Sequence, residues 1–429
     1  MKKIKNIEQW LMTMLAVVLL AACSRSDSDE ISSSREGDCY IEFYVYQPDR
    51  PMVTRATDEA VIPATEAEKK IHNLKIWAFR HSTGEKLGYL EVNETTTADD
   101  ATTAGKSLLE IMNDEGQQMF KMKVPAEFAD NPENVDVYVV ANEGTVKIGE
   151  DESVTLGENT TRAQLKEAKI TSFGVSTNYS VAAVVKAVPE ETGLPMSAML
   201  ENQSIYGSFP TLRIGNADQI ATLRLTRAVS KLRFVICRKT EDLYNDKRIL
   251  KSITSIKLNA SMIPTESYLI PVPASSYGSS DFVDNDAMNY GGIEKTTIPE
   301  VEDPLVYAYT PQENEEQALK NYEDLINKGA TEIKEGKTTP DLYQFGITYL
   351  RESPKDLTGT IEYIITENST TTDKTTTFSM VFPGEFMRNH SWIIYIYFMD
   401  EKLHVLTVTD LGLKDWTDSG SQDHSVYNW

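Results

Sequence analysis

Hydrophobic and polar positions alternate over several short stretches of this chain. The first stretch, residues 40–46, places Ile41, Phe43 and Val45 on one face and Glu42 on the opposite face. This period of two is what a β-strand with one buried face requires. The stretch therefore predicts a strand that precedes the first long loop.

Similar stretches follow through the rest of the chain. They predict strands over residues 71–79, 86–92, 120–125, 135–142, 221–236, 253–258, 305–309, 342–350, 361–366, 376–382, 392–399 and 403–408. The run over 221–236 is long enough to require a bulge or a bend. Two other stretches predict helices: 161–168 begins at a threonine cap, and 313–328 carries its apolar residues on one side and ends before Gly329.

The spacing of these elements indicates the fold class. Many short strands at intervals of roughly 8–12 residues, few helices and no strand–helix–strand alternation are typical of β-sandwiches. The sequence predicts an all-β protein with two antiparallel β-sandwich domains and a few short helices. Because the long run from Leu223 follows a turn-rich stretch, we expect an N-terminal domain over 56–219 and a C-terminal domain over 220–429.

The N-terminus has the pattern of a lipoprotein signal. Three lysines precede an apolar run over residues 11–22, which is too short to span a membrane and leads into Cys23 through a small-residue processing site. Residues 1–22 are therefore predicted to be a signal peptide, and the Cys23 thiol to be acylated, as with palmitate, once the peptide is removed. The alternative is that this apolar run forms a buried N-terminal helix. In that case its charge, its length and its processing site would match those of a signal peptide only by chance.

The segment after the first strand contains a candidate cleavage site. A short acidic spacer leads into that strand, and beyond it Arg50 and Arg55 lie in a segment rich in Pro, Thr, Asp and Glu. A trypsin-like protease cuts poorly before proline, so Pro51 protects Arg50, and the bond between Arg55 and Ala56 is the exposed one. Cleavage there would detach residues 23–55, which comprise the spacer and the strand. The alternative is that the strand is a permanent edge and that Arg55 lies in an ordinary loop.

Length, composition and charge narrow the function classes. The chain has 429 residues, of which 40% are hydrophobic, and this is enough to build cores in more than one domain. Its 42 basic and 65 acidic residues give a net charge of -23, which argues against binding to nucleic acid or to anionic lipid. Of the three cysteines, Cys23 and Cys39 would leave with the anchor and the first strand, so Cys237 would remain alone and no disulfide framework is expected.

The sequence lacks the patterns of enzymatic chemistry. None of the five histidines stands in an HExxH or another paired metal-ligand spacing. There is no P-loop, no G-x-G-x-x-G, no G-x-S-x-G and no C-x-x-C. The clustered carboxylates lack the spacing of a calcium loop and are interpreted as solvated surface. We therefore predict that the protein is not an enzyme, that it holds no metal or cofactor, and that it functions by binding or assembly.

Several short motifs occur in a characteristic order. They are the lipobox with its acidic tail, Val-Thr-Arg-Ala at 53–56, Ile-His-Asn-Leu-Lys-Ile at 71–76, Val-Tyr-Val-Val-Ala-Asn at 137–142, the run over 223–231, and Arg-Asn-His-Ser-Trp at 388–392. In this order the chain resembles the fimbrillin family, the subunits of the lipoprotein-derived type V pili of anaerobic Gram-negative bacteria. The likeness extends over nearly the whole chain.

The resemblance implies two transthyretin-like β-sandwich domains and export as a surface-exposed lipoprotein of the cell outer membrane. Cys23 matches the lipidated cysteine of the family, and Arg55 and Ala56 match the bond that an arginine-specific protease cuts. The implied function is that of a fimbrial subunit that assembles with other fimbrial subunits by donor-strand exchange and supports adhesion to a host or bacterial surface ligand. Shaft, tip and accessory roles remain open. The alternative is a non-polymerising surface lipoprotein that binds glycan or host protein.

Overall fold

The computed structural model describes residues 37–48, 66–97, 106–172, 188, 191–282, 288–307, 342–367, 371–386 and 388–409. The predicted signal peptide, Cys23, Arg55 and Ala56 lie outside these residues, as does the predicted helix over 313–328. Among the helices within them, none is both long and apolar enough to cross a membrane.

Most of the described residues form strands. Up to residue 224 these are β1 Cys39–Tyr46, β2 Leu74–Arg80, β3 Lys86–Val92, β4 Gln117–Val124, β5 Val135–Ala141, β6 Thr145–Ile148, β7 Asp151–Val154, β8 Lys169–Ser172, β9 Met196–Gln203, β10 Ile205–Ser208, β11 Thr211–Ile214 and β12 Thr222–Arg224. Beyond residue 224 they are β13 Thr226–Arg227, β14 Val229–Lys239, β15 Arg248–Leu258, β16 Ser267–Tyr268, β17 Met288–Asn289, β18 Ile293–Glu294, β19 Glu300–Val301, β20 Tyr343–Arg351, β21 Ser353–Glu367, β22 Thr372–Phe386, β23 Ser391–Met399 and β24 Lys402–Thr409.

The α-helices of the described residues are short: α1 Glu66–Lys69, α2 Leu108–Glu115 and α3 Arg162–Glu167. Helices α2 and α3 each begin with a capping box. The side chain of Ser107 or Thr161 accepts a hydrogen bond from the backbone N–H of the third helical residue, and the backbone N–H of Ser107 or Thr161 donates one to the side chain of that residue. These side chains satisfy backbone donors that the helix itself leaves open.

The first sandwich encloses a core between two sheets. One sheet has the order β10-β11-β1-β12, and β4 pairs with the other edge of β1. The facing sheet has the order β13-β9-β5-β2-β3. Apolar side chains from both sheets meet in the core, among them Ile41 and Phe43 of β1, Ile76 of β2 and Val139 of β5.

The second sandwich repeats this arrangement. One sheet has the order β19-β14-β23-β24, with β20 also paired to β14, and the other has the order β17-β15-β21-β22, with β18 also paired to β15. Its core includes Phe234 of β14, Ile256 of β15, Ile361 of β21 and Ile394 of β23. The strands predicted over 361–366 and 376–382 lie within β21 and β22, which pair as a hairpin.

A small sheet and a third core connect the sandwiches. The small sheet has the order β16-β8-β6-β7, and β16 comes from the second half of the chain whereas its partner β8 comes from the first. The third core brings Trp77 and Tyr138 together with Leu269 and Tyr349. The two halves of the chain therefore share buried apolar surface.

The prediction of an all-β fold with a few short helices is confirmed. Most neighbouring strands are antiparallel, and the central strands β1 and β14 each have parallel neighbours in addition. The run over 221–236 is interrupted as expected, because it divides into β12, β13 and β14. The domain boundary at residue 220 stays a prediction, and Leu223 and Leu225, just beyond it, pack in the first core.

One predicted strand is wrong. The described part of 305–309 belongs to a single turn of 3-10 helix, Pro304–Tyr307. Proline has no N–H to donate to a sheet, and its fixed φ favours the first turn of a helix. Asp303 adds a turn signal, because its Oδ1 accepts a hydrogen bond from the backbone N–H of Leu305 at 2.9 Å.

Candidate functional site

Strand β1 lies in the middle of its sheet. Along one edge it is antiparallel to β4 over its whole length, from Cys39 opposite Val124 to Tyr46 opposite Gln117. Along the other edge it is parallel first to β11 and then to β12. Because both edges are hydrogen-bonded, loss of β1 would expose unpaired backbone groups on strands at both sides of the gap.

The side chains of β1 alternate as the sequence predicts. Ile41, Phe43 and Val45 are fully buried and lie together in the first core, where the ring of Phe43 stacks on that of Phe120 with 6.4 Å between centroids. Cys39 is buried in the same row. The buried face of β1 thus fills a row of positions across the sandwich, and a strand that replaced it would need apolar side chains at the same spacing.

The other face of β1 carries a charge cluster. The Glu42 carboxylate lies 3.2 Å from Nζ of Lys121 on β4 and 3.4 Å from Nε of Arg213 on β11. The Glu42 side chain is only 6% exposed, whereas those of Lys121 and Arg213 are 58% and 51% exposed. Near the start of β1, a hydrogen bond from Lys123 lowers the pKa of the Asp38 carboxyl. The alternation of the sequence predicts Glu42 on the outer face, but its partners follow it by 79 and 171 positions in the chain, too far for a local pattern to indicate them.

The end of β1 is joined to the chain that follows the candidate cleavage segment. The side-chain amide of Gln47 donates to Oδ1 of Asn113 at 2.8 Å and to the carbonyl oxygen of Lys69 at 3.2 Å. Asn113 in turn accepts a hydrogen bond from the Ile71 N–H at 2.9 Å and donates one to the Ile71 carbonyl oxygen at 2.9 Å. The Asn113 side chain on α2 therefore ties together the two ends of the segment that contains Arg55.

Helix α1, immediately after that segment, is fixed by a buried charge. The Glu68 carboxylate lies 2.8 Å from Nζ of Lys231 and accepts a hydrogen bond from the Tyr349 hydroxyl. The Glu68 carbonyl oxygen accepts a hydrogen bond from Nε of Arg227 at 2.9 Å. Burial would raise the pKa of Glu68, but the positive charges of Lys231 and Arg227 outweigh it and lower that pKa to about 2. This ionised group attaches the start of the first sandwich to strands of the second.

Some of the predicted site residues lie within the described part of the structure and others lie outside it. Ile41, Phe43 and Val45 are brought together on one buried face, while their role as a removable strand stays a prediction. Cys23, Arg55 and Ala56 lie outside the described residues, so lipidation and cleavage stay predictions as well.

A sequence comparison identifies the family that this region resembles. Residues 40–226 match the family model of the major fimbrial subunit protein, FimA. This span begins within β1 and ends within β13, so it contains the strands of the first sandwich except for the terminal residues Cys39 and Arg227. No curated protein matches the chain.

Solved structures of fimbrial proteins align with most of the chain. The tip fimbrial protein Mfa3 from Porphyromonas gingivalis, with a C-terminal truncation, is 13% identical; the alignment covers 87% of this chain and 99% of that one, with a TM-score of 0.42. A fimbrilin (FimA) from the same species is 12% identical, with 87% and 97% covered and a TM-score of 0.40. A fimbrial protein from Bacteroides vulgatus is 9% identical, with 87% and 98% covered and a TM-score of 0.39. With TM-scores below 0.5 these alignments carry no argument about function, and the resemblance to the family rests on the sequence match over residues 40–226.

The matched family consists of fimbrial subunits, which are structural proteins and not enzymes. This agrees with the prediction of a non-enzymatic protein that functions by assembly. The predicted resemblance to the fimbrillin family is confirmed over residues 40–226, which match the model of the major fimbrial subunit protein.

Proposed function

We propose that this chain is exported as a lipoprotein, anchored in the cell outer membrane through Cys23, and cut after Arg55 by an arginine-specific protease. Cutting frees the segment that carries β1, and a strand from another fimbrial subunit takes its place. The single observation that carries the proposal is the position of β1. Strand β1 is hydrogen-bonded along both edges in the middle of its sheet. Its covalent connection to the strands that follow is the segment that contains Arg55.

The energy of the buried row supports strand replacement. Burial of one large apolar side chain contributes about 1.5–3 kcal/mol, so Ile41, Phe43 and Val45 together contribute roughly 5–9 kcal/mol. A whole domain is stable by only about 5–15 kcal/mol. A cut subunit that has lost β1 is therefore strongly driven to accept another strand by β-augmentation. An uncut subunit, with β1 in place, stays monomeric.

The mechanism is tested on the cleavage bond. Treatment of the purified precursor with an arginine-specific protease is expected to give a chain that starts at Ala56 and forms SDS-resistant multimers. Arg55→Ala is expected to remain an uncut monomer. Arg50→Ala is the matched control, because the bond before Pro51 resists cutting in any case, and this variant should assemble like the wild type. Assembly of Arg55→Ala to the wild-type extent would overturn the mechanism.

The anchor is tested separately. Only the thiol of Cys23 accepts the acyl chain, so Cys23→Ser is expected to abolish acyl labelling and to release the protein or hold it in the inner membrane as precursor. Cys237→Ser, which changes a buried cysteine of the second sandwich, serves as the control and should be labelled normally. Undiminished labelling of Cys23→Ser would refute the lipoprotein proposal.

One observation favours the alternative, a surface lipoprotein that binds glycan or host protein. The loop between β14 and β15 exposes Leu243 and Tyr244, and the Tyr244 side chain is almost wholly in solvent, with 99% of the residue exposed. Exposed aromatic rings are frequent anchors in binding surfaces. If Tyr244→Ser abolished adhesion of cells while the wild-type chain proved unable to form multimers after cutting, the alternative would become the leading function.

A further inference from the structure

The charge cluster on the outer face of β1 has a defined register. Glu42 is directly opposite Lys121 in the β1–β4 ladder and directly opposite Arg213 in the β1–β11 ladder. The three side chains thus form a row, positive, negative and positive, across three neighbouring strands. Opposite charges in directly facing positions stabilise a sheet, and like charges in these positions destabilise it.

Both cations belong to the strands that border β1. When β1 leaves, Lys121 and Arg213 remain on the two edges of the open groove, about two strand spacings, or roughly 10 Å, apart. Within the described part of the chain, Glu42 is the ion-pair partner of both. An incoming acidic residue at this position would restore both pairs, a neutral residue would restore neither, and a basic residue would place three positive charges in a row.

On the basis of the strand exchange proposed above, we propose that Lys121 and Arg213 are a charge filter that selects the donor strand. The filter favours an extended segment with an acidic residue at the position of Glu42 and apolar residues on both sides of it. The buried row at Ile41, Phe43 and Val45 accepts many apolar sequences of suitable size. The cation pair adds a requirement for one charge at one register, so it discriminates between strands that fill the apolar positions equally well and between registers of the same strand.

The filter is tested by uptake of labelled peptides into the full chain after cutting with an arginine-specific protease. The peptides span residues 38–47, with Cys39 kept reduced. The wild-type peptide is expected to exchange with the cut segment, and Glu42→Lys to bind about tenfold less tightly, because two favourable pairs become two unfavourable ones. Glu42→Gln should fall between them. A peptide with Glu42→Tyr and Tyr44→Glu has the same composition and net charge as the wild type and should bind less tightly than it.

An acceptor with reversed charge provides the decisive comparison. The chain with Lys121→Glu, Arg213→Glu and Glu42→Lys keeps complementary charges in the uncut state, so it can fold around its own strand. After cutting it should prefer the Glu42→Lys peptide over the wild-type peptide. The chain with Lys121→Ala and Arg213→Ala should take up both peptides equally.

The outcomes separate the two proposals. If no acceptor takes up any peptide after cutting, strand exchange itself is wrong. If the wild-type acceptor takes up the wild-type and Glu42→Lys peptides equally, or if the reversed acceptor does not reverse the preference, exchange stands and the charge filter is wrong.

Discussion

Strand β1 of the first sandwich and strand β14 of the second occupy equivalent positions. Strand β1 is antiparallel to β4 and parallel to β11 and β12, while β14 is antiparallel to β20 and parallel to β23 and β19. Each carries a fully buried phenylalanine, Phe43 or Phe234, in the core of its own sandwich. Their connections differ. Strand β14 follows β13 closely and is joined to β15 by a described loop, whereas β1 is the first described strand and is followed by the segment that contains Arg55.

The two strands also differ on their outer faces. Nearly every side chain of β14 is buried, and the one-turn helix Pro304–Tyr307 lies over this sheet, where the Pro304 carbonyl oxygen accepts a hydrogen bond from Tyr395 of β23 at 2.8 Å. Strand β1 has several partly exposed residues on its outer face, including Tyr40, Tyr44 and Tyr46. A strand that is covered on one face only can leave without displacing a second layer. The same ladder geometry is therefore compatible with a permanent strand in one sandwich and with a replaceable strand in the other.

The largest expected effect comes from placing a charge in each central strand. Phe43→Asp and Phe234→Asp each remove a buried ring and introduce a buried carboxylate, so each should lower the free energy of unfolding of the uncut chain by about 4 kcal/mol or more. Urea titration of the two purified precursors measures this loss. Before cutting, the free energy of unfolding of the two variants should be lowered by similar amounts.

After cutting, the two variants should diverge. Phe43 belongs to the strand that is replaced, so multimers of cut Phe43→Asp should be as stable as those of the wild type. Phe234 stays in every state of the chain, so Phe234→Asp should weaken the multimers as much as it weakens the precursor. If the multimers of the two cut variants lost stability to the same extent, β1 would have to remain in the assembled subunit.

The next effect in size concerns the buried carboxylate that links the two regions. The pKa of Glu68 is about 2 in the folded chain, below the ordinary value of 4.5, so its contribution to stability is complete above pH 4.5 and is lost as the pH falls from 4.5 towards 2. The shift corresponds to about 3 kcal/mol. Glu68→Gln should destabilise the chain at pH 7 and flatten this part of the pH profile, measured by urea titration at pH 7, 4 and 3. Glu158→Gln, at an exposed position, should leave the profile unchanged.

Local sequence patterns predict a strand where the burial of one face imposes an alternation of apolar and polar residues. A strand with one buried face must alternate, and this places Ile41, Phe43 and Val45 correctly and predicts the bounds of Lys86–Val92. The helix Arg162–Glu167 was also predictable, because its threonine cap is a local signal. Helix Leu108–Glu115 is not predicted because its eight residues make only about two turns, too few for a helical period to stand out after a long polar loop. Strands β6, β7 and β8 have four residues each, too few for a period to stand out.

The polar contacts of the candidate site could not be predicted from local patterns. Glu68 and Tyr349 are 281 positions apart, and Gln47 and Asn113 are 66 apart, so only the folded topology brings them together. A glutamate or an asparagine in an isolated stretch is typical of solvated surface, and nothing in the neighbouring residues marks these two as buried or bridging. The acylation and cleavage predictions at Cys23 and Arg55 depend on local sequence alone, and they stay predictions.

The smallest expected effect concerns the end of β1, where its connection differs from that of β14. Asn113→Ala removes three hydrogen bonds that tie Gln47 to Ile71, and it leaves the Ile71 N–H without this acceptor. Since a lost hydrogen bond with a partly buried donor costs about 1–3 kcal/mol, we expect the uncut chain to be about 1–2 kcal/mol less stable. The segment that contains Arg55 would then open more easily, so an arginine-specific protease should cut this variant faster than the wild type. Asp114→Ala, at the exposed neighbouring position on the same helix, is the control and should change the cutting rate little. Equal cutting rates for the two variants would show that the Asn113 contacts do not restrain the end of β1.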